Sequence, residues 1–316
     1  MSRYRHNLPQ LADRTFLADS GLETTLIFHD GMDIPHFASF VLLETESGRA
    51  RLRRYYAEHI ALAREAGRGI VLETPTWRAN PDWGAKLGYD AARLAAINRR
   101  AVEEIVDLRA ELENPASPIV VSGNLGPRGD GYRADARMTS EQAQGYHAPQ
   151  IETFAATDAD MVAVFTMNYV EEAIGIARAA QAAAVPVAVS FTLETDGRLP
   201  SGMTLGEAIV ATDDATGGYP AYYMINCAHP SHFAHILGEA EPWHGRIRGV
   251  RANASKRSHA ELDEAVELDV GDPGELAEDY RALAARLPRL AVVGGCCGTD
   301  HRHIAAIRDG LGEWAA

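Results

Sequence analysis

Short apolar segments alternate with longer amphipathic segments along the whole 316-residue chain, and this alternation limits its fold more than any other feature. Several apolar segments are nearly continuous, such as Ile119-Val120-Val121 and Val187-Ala188-Val189. Strands buried on both faces of a parallel sheet have this composition. We predict eight strands, at Phe16–Gly21, Gly69–Pro75, Pro118–Gly126, Asp160–Met167, Pro186–Leu193, Tyr222–Cys227, Ile247–Ala254 and Leu290–Gly295.

Helical patterns fill the stretches between these strands. The segments Leu52–Ala66 and Leu94–Leu112 repeat apolar residues at helical spacing, and Thr139 with Gln142 is typical of a helix start. Further helices are predicted at Tyr169–Ala184, Leu205–Ala211, Ser231–Gly238, Gly274–Leu287 and Asp300–Leu311. Eight alternating units predict an α/β fold, a (β/α)8 TIM barrel, as a single domain over residues 1–316.

The alternative fold is a doubly wound sheet. A Gly-x-Gly-x-x-Gly loop after the first strand would favour it, and this motif is missing there. Two long irregular regions, 29–45 and 123–138, follow the first and third strands. In a barrel both lie at the C-terminal ends of the strands, where active sites of this fold occur.

Composition excludes several classes of function. The formal net charge of −14 argues against partners that are nucleic acids or anionic membranes. The polar N-terminus lacks an apolar signal region, and no stretch approaches the roughly 18 apolar residues of a membrane-spanning helix. Three cysteines form no disulfide framework, which predicts a cytoplasmic protein with thiols available for chemistry.

The three cysteines lie at the ends of two predicted strands. Cys227 follows Tyr-Tyr-Met-Ile-Asn, while Cys296 and Cys297 follow Val-Val-Gly-Gly and precede another glycine. Thiols at the ends of two strands of one barrel can meet, and three thiolates suit a zinc ion with an open fourth position. Such a site can bind a substrate thiol and activate it as a nucleophile.

Other interpretations of the cysteines remain open from these residues. They can be buried packing residues, or ligands of a structural zinc with His229 as the fourth ligand. A zinc-dependent lyase or hydrolase would need a base near the metal, such as His147, His229 or His232. A barrel without catalytic activity, with a redox-labile cysteine pair, is a further alternative.

The cysteine motifs resemble the two zinc-ligand motifs of the homocysteine S-methyltransferase family. These motifs are Asn226-Cys227 and the glycine-flanked Gly294–Thr299 segment. Weaker matches occur in the same order as in the family, at Ala18–Leu22, Glu73–Trp77, Gly123–Pro127, Tyr146–Gln150, Val189–Thr192 and Asp196–Gly202. The resemblance covers nearly the whole chain and itself implies a (β/α)8 barrel.

The resemblance implies zinc, bound by Cys227, Cys296 and Cys297, and methyl transfer to homocysteine, giving methionine in methionine biosynthesis. The partners it implies are a small-molecule thiol and a small diffusible sulfonium or quaternary ammonium donor. The family's Asp19 position holds the amino-acid part of homocysteine. The substrate-binding residues that we predict are Asp19, Ser20, Gly21, Glu73, Thr74, Trp77, Asn124, Thr166, Asn226 and Asn253. The chain can also form a homo-oligomer.

The sequence departs from the family at the end of the fourth strand. Thr166 stands where the family has a glutamate that binds the homocysteine amine, and a threonine cannot pair with an ammonium group. We hypothesise that Glu73 supplies the missing carboxylate. Thr166 also prompts the alternative that the acceptor is a different thiol or a selenol.

Two further sets of residues bear on the substrates. Arg251, Lys256 and Arg257 make the end of the seventh strand basic, and we interpret them as partners of neighbouring acids rather than as substrate ligands. Aromatic faces hold methylated cations well. The candidates near strand ends are Trp77, Tyr132, Phe191, Tyr222 and Tyr223, of which Trp77 is favoured.

Overall fold

Eight parallel strands close into a barrel in which each strand pairs with the next along the chain. The computed structural model describes residues 2–12, 14–135, 137–265 and 267–312. The strands are β1 (Phe16–Ala18), β2 (Gly69–Glu73), β3 (Ile119–Leu125), β4 (Met161–Met167), β5 (Val187–Phe191), β6 (Tyr222–Asn226), β7 (Ile247–Ala252) and β8 (Val292–Gly295). Pairing of Phe16 with Val292 joins β8 to β1 and closes the barrel.

Helices cover the outside of the barrel. They are α1 (Glu46–Glu65), α2 (Pro81–Lys86), α3 (Ala91–Leu112), α4 (Ser140–Ala155), α5 (Val170–Ala182), α6 (Leu205–Thr216), α7 (Pro230–Phe233), α8 (His259–Asp263), α9 (Pro273–Ala284) and α10 (His301–Gly310). Thr139 and Gln142 form the capping box that starts α4, as the sequence predicts. The described part of the chain contains no helix that is both long and apolar enough to span a membrane.

The predicted TIM barrel and all eight strand positions are confirmed. Most strands end earlier than predicted because the chain leaves the sheet to build loops at the C-terminal rim. Cys227, for example, has φ +52°, which an extended strand does not allow. The predicted helix Ser231–Gly238 is instead the single turn α7 followed by a 3-10 turn, Ala234–Leu237.

Apolar side chains form two cores. One lies between the sheet and the helices, and the other fills the barrel interior with Phe16, Val71, Met161 and Tyr222 among its members. The N-terminal segment closes the bottom of the barrel, where Asp160 accepts hydrogen bonds from the backbone N–H groups of Arg3 and Tyr4. The opposite end of the barrel carries the long loops after β1 and β3 and the cysteines.

Candidate functional site

The three cysteines meet at the C-terminal end of the barrel. Cys227 directly follows β6, and Cys296 and Cys297 directly follow β8. Their Sγ atoms all lie within 4.8 Å of one another. A Cβ on Gly295 would overlap the Thr299 side chain, and Gly298 has φ +80°, so both glycines are required for the turn that places this pair.

Two of the three sulfur atoms are joined, which differs from the expectation of three free thiols. A disulfide links Cys227 to Cys296, and the Cys297 Sγ lies 3.9 Å from the Cys227 Sγ. Strands β6 and β8 place the Cα atoms of Cys227 and Cys296 5.4 Å apart, within the usual range for a disulfide. The same closeness lets the reduced thiols share one ion.

The donor set fits a metal ion with three thiolate ligands. Among the described residues, the three cysteines are the one group of His, Cys, Asp or Glu side chains placed closely enough to hold an ion together. His229, considered above as a fourth ligand, instead contacts Ser231 through Nδ1 at 2.9 Å and Asp279 through Nε2 at 3.6 Å. Three protein ligands leave the fourth position of a tetrahedral ion open.

The other two histidines considered as bases also have partners away from the sulfur atoms. His147 is buried and contacts Glu172 at 2.9 Å, and His232 donates from Nε2 to the Lys256 carbonyl at 2.8 Å. A lyase or a hydrolase would need a base beside the metal. Because these contacts hold both histidines away from the sulfur atoms, neither is placed for that role.

Thr166 and Asn226 hold each other at the ends of β4 and β6. The register between β4 and β5 shifts after Val164, and Thr166 has φ +64°, which is rare for a β-branched residue. The Asn226 Oδ1 accepts from the Thr166 N–H at 2.9 Å, and its Nδ2 donates to the Thr166 Oγ1 at 3.1 Å. Asn226, the residue before Cys227, therefore stabilises the backbone of Thr166.

A buried ion pair crosses from β7 to the end of β1. Arg251 donates from Nη2 to the Asp19 Oδ1, and both side chains are almost inaccessible, with 8% of Arg251 and 3% of Asp19 exposed. Burial raises the pKa of Asp19 to about 6, although the adjacent guanidinium opposes that rise. Asp19, which the sequence predicts to hold the amino-acid part of the acceptor, is thus already paired with a cation.

Glu73 is a second buried carboxyl at the same end of the barrel. It is 5% exposed, and its Oε2 has no hydrogen-bond partner among the described residues. Burial raises the pKa of Glu73 to about 8, while Arg251 acts in the opposite direction. A buried carboxyl oxygen without a protein partner suits a ligand that brings its own cation.

The remaining predicted residues have different environments. The Ser20 hydroxyl contacts His59 Nε2 at 2.9 Å, and the Gly21 N–H donates to Thr299. Thr74 Oγ1 accepts from the Asn124 N–H at 2.8 Å, which links β2 to β3. The side-chain oxygens of Asn124 and Asn253 are buried without a described partner. The unpartnered oxygens of Glu73, Asn124 and Asn253 therefore lie at the ends of three strands.

Two of the five candidate aromatics lie at the mouth of the barrel. The Tyr132 hydroxyl is 3.7 Å from the Cys297 Sγ, and Trp77 borders Thr166 across Gly131. The assignment of the other three to a donor site is wrong. Phe191 and Tyr223 stack in the core between sheet and helices, and Tyr222 contacts Met161 inside the barrel, because strand side chains alternate between the two faces.

Sequence reasoning missed two features of the site. The three basic residues near β7 all pair with acids, as predicted: Lys256 with Glu275, Arg257 with Asp269, and Arg251 with Asp19. The sequence did not indicate that the Arg251 pair lies inside the barrel. His259 donates from Nε2 to the Cys227 carbonyl at 2.6 Å, and its ring contacts the Tyr132 ring at a tilted angle. The inward position of Arg251 could have been read from the alternation along β7, whereas no local signal places His259.

Comparison with known proteins gives the following matches. The profile of the family described as homocysteine S-methyltransferase matches residues 16–311. The homocysteine methyltransferase MmuM from Escherichia coli in its oxidized form is 24% identical, with a TM-score of 0.74 over 93% of this chain and 95% of that one. Its metallated form is 24% identical, with a TM-score of 0.73 over 94% and 96%. At this identity the likeness to the two structures shows a shared fold. No curated protein matches the chain.

Proposed function

Because the chain belongs to the homocysteine S-methyltransferase family, we propose that it moves a methyl group from a small sulfonium or quaternary ammonium donor to homocysteine, using zinc held by Cys227, Cys296 and Cys297. The observation that carries this proposal is the set of three sulfur atoms within 4.8 Å of one another at the C-terminal end of the barrel. Thiolate sulfur is a preferred ligand of zinc, and three such ligands leave one position for a substrate.

The metal has one task in this proposal. When bound, Zn²⁺ would lower the pKa of the acceptor thiol, so that its sulfur is a thiolate at neutral pH. The protein holds the three cysteines in position through contacts behind them. Asn253 Nδ2 and His259 Nε2 both donate to the Cys227 carbonyl, and Thr299 Oγ1 donates to the Cys296 carbonyl at 2.7 Å.

Methyl transfer needs no further redox partner. The acceptor sulfur forms a bond to the methyl carbon while the bond from that carbon to the donor breaks. The bonding electrons stay with the donor sulfur or nitrogen, which becomes neutral, and the acceptor thiol proton is released to solvent. Trp77 and Tyr132 offer aromatic faces at the mouth of the barrel for the positively charged donor.

The acceptor's amino-acid part would lie inside this ring of strand ends. Asp19, Ser20 and Gly21 follow β1, and Glu73 ends β2 on the neighbouring side. We assign the ammonium group to Glu73, because the Thr166 hydroxyl at the end of β4 already accepts from Asn226 and carries no charge. The unpartnered Oε2 of Glu73 supports this assignment.

Metal analysis and product analysis together test the proposal. The chain is reduced, loaded with Zn²⁺ and freed of excess metal, and the zinc content is measured by mass spectrometry. We expect one zinc per chain, loss of zinc in Cys227→Ser, Cys296→Ser and Cys297→Ser, and unchanged zinc in the control His229→Gln. Loss of zinc in the control would instead identify a site with four protein ligands.

The loaded protein is then incubated with homocysteine and a panel of sulfonium and quaternary ammonium donors. We expect methionine, detected by its mass, with at least one donor and none with the cysteine variants. If no donor yields methionine, homocysteine is not the acceptor under this proposal, and methylated products of other thiols or selenols are sought in the same assay.

A further inference from the structure

Arg251 is buried near the C-terminal end of the barrel, between the two strands that the cysteines follow. It lies on β7, while Cys227 follows β6 and the other two cysteines follow β8. The Cys227 N–H donates to the Arg251 carbonyl at 3.1 Å. The guanidinium Nε donates to the carbonyl of Gly295, the residue before Cys296, at 3.1 Å. Arg251 is therefore tied to both halves of the cysteine cluster.

The contacts of the guanidinium leave one of its edges unused. Nη2 donates to the Asp19 carboxylate and contacts the Asp19 and Ser20 carbonyls, both at 3.2 Å. These contacts and that of Nε fix the plane of the group. No described residue accepts a hydrogen bond from Nη1, whose two N–H groups remain for a ligand. A guanidinium group is a preferred hydrogen-bond partner of carboxylates.

Glu73 adds a buried carboxyl group on the other side of β1, and a bound ammonium group would favour its ionised form. Strands β7, β8, β1 and β2 are consecutive around the barrel, so Arg251, Asp19 and Glu73 share one arc of its mouth. Asp19 neutralises the guanidinium charge, and Glu73 keeps an unpartnered oxygen. A ligand that brings one carboxylate and one ammonium would pair the free groups without changing the net charge of this arc.

We propose that Arg251 and Glu73 select acceptor thiols that carry an α-amino-acid head group, with Arg251 binding the carboxylate and Glu73 the ammonium. This inference rests on the proposed function, because it takes the acceptor sulfur to lie at the cysteine cluster. Asp19 is then a positioning residue, which holds the guanidinium and does not contact the acceptor. Thiols without the zwitterionic head group bind weakly, because each leaves the Arg251 Nη1 or the Glu73 carboxyl buried without a hydrogen-bond partner.

Three related thiols separate the two charges in an equilibrium-binding experiment. Homocysteine has both groups, 4-mercaptobutanoate lacks the amine, and 3-mercaptopropylamine lacks the carboxylate. Their dissociation constants are measured by calorimetry on the reduced, zinc-loaded protein without donor. The variants are Arg251→Lys, which keeps a charge for Asp19, and Glu73→Gln. The control is Arg257→Gln, an exposed arginine that pairs with Asp269 in the loop after β7.

We expect a crossed pattern of effects. Arg251→Lys weakens binding of homocysteine and 4-mercaptobutanoate by about 10- to 100-fold and leaves 3-mercaptopropylamine within about twofold of wild type. Glu73→Gln weakens binding of homocysteine and 3-mercaptopropylamine to a similar degree and leaves 4-mercaptobutanoate unchanged. Arg257→Gln changes none of the three dissociation constants.

An equal loss for all three thiols in Arg251→Lys would assign the residue a purely structural role and overturn the inference. Equal binding of the three thiols to the wild-type protein would overturn it as well. The methyl-transfer assay stays separate from this test. A crossed binding pattern in a protein that methylates none of the thiols would keep the inference and refute the proposed function.

Discussion

Replacement of Asn226 by alanine tests whether this side chain holds the strained backbone at the end of β4. The wild-type amide accepts from the Thr166 N–H at 2.9 Å and from the Ser190 hydroxyl at 2.7 Å, and it donates to the Thr166 Oγ1 at 3.1 Å. All three residues are buried. Thr166 has φ +64°, and such conformations persist where the surroundings hold them.

The magnitude follows from the groups left without partners. An orphaned, buried N–H of Thr166 costs about 1–3 kcal/mol, and each of the other two hydrogen bonds contributes about 1 kcal/mol. We therefore expect Asn226→Ala to lower the free energy of unfolding by about 3–5 kcal/mol. Asn253→Ala is the matched control. Its amide donates one hydrogen bond, to the Cys227 carbonyl, and His259 also donates to that carbonyl, so a loss below about 1 kcal/mol is expected.

The assay is urea unfolding of both variants and the wild type, with reductant and a chelator in every sample. Removing the metal keeps differences in metal affinity out of the comparison, since a ligand of the folded state would stabilise each protein by a different amount. Both substitutions delete the same atoms. If the two variants lose the same free energy of unfolding to within about 0.5 kcal/mol, the claim that Asn226 supports Thr166 is refuted.

Three further outcomes are expected. Without reductant the Cys227–Cys296 disulfide removes two ligands, so zinc uptake measured by mass spectrometry falls well below one per chain and recovers on reduction. Burial raises the pKa of Glu73 from 4.5 to about 8, so the folded state retains a proton that the unfolded chain has lost. Glu73→Gln should therefore unfold at the same urea concentration as wild type near pH 4.5 and at increasingly higher concentration up to pH 8; a constant offset would contradict this. In steady-state kinetics, Trp77→Leu should raise the KM for the donor several-fold more than the KM for the acceptor. Trp243 lies against Gly206 of α6, so the control Trp243→Leu should change neither KM.

The barrel itself was predictable because the signals that define it are local. Runs such as Ile119-Val120-Val121 are buried on both faces, and each amphipathic segment returns the chain to the next strand. The N-terminus of α4 was also predictable, since a capping box involves residues three positions apart. Strand ends were less predictable, because Thr166 and Cys227 adopt positive φ through contacts with residues on other strands.

The prediction for the aromatic residues failed for a specific reason. Phe191 and Tyr223 are near strand ends, as the sequence indicates, but their side chains point towards the helices. Closeness to a strand end does not determine the face, because successive strand residues alternate between the two sides of the sheet. Trp77 and Tyr132 lie in loops after β2 and β3, which explains why they reach the mouth of the barrel.

The sequence alone determined the eight strands, the end of the barrel at which the cysteines lie, and the family, since each depends on residues close together in the chain. Only the tertiary structure decided how the charges inside the barrel are distributed. Arg251 pairs with Asp19, 232 positions away, and Glu73 keeps an unpartnered oxygen in the same arc. The physical reason is that closure of the barrel brings β7, β8, β1 and β2 together. Burial then makes the protonation state of each ionisable group depend on the groups next to it.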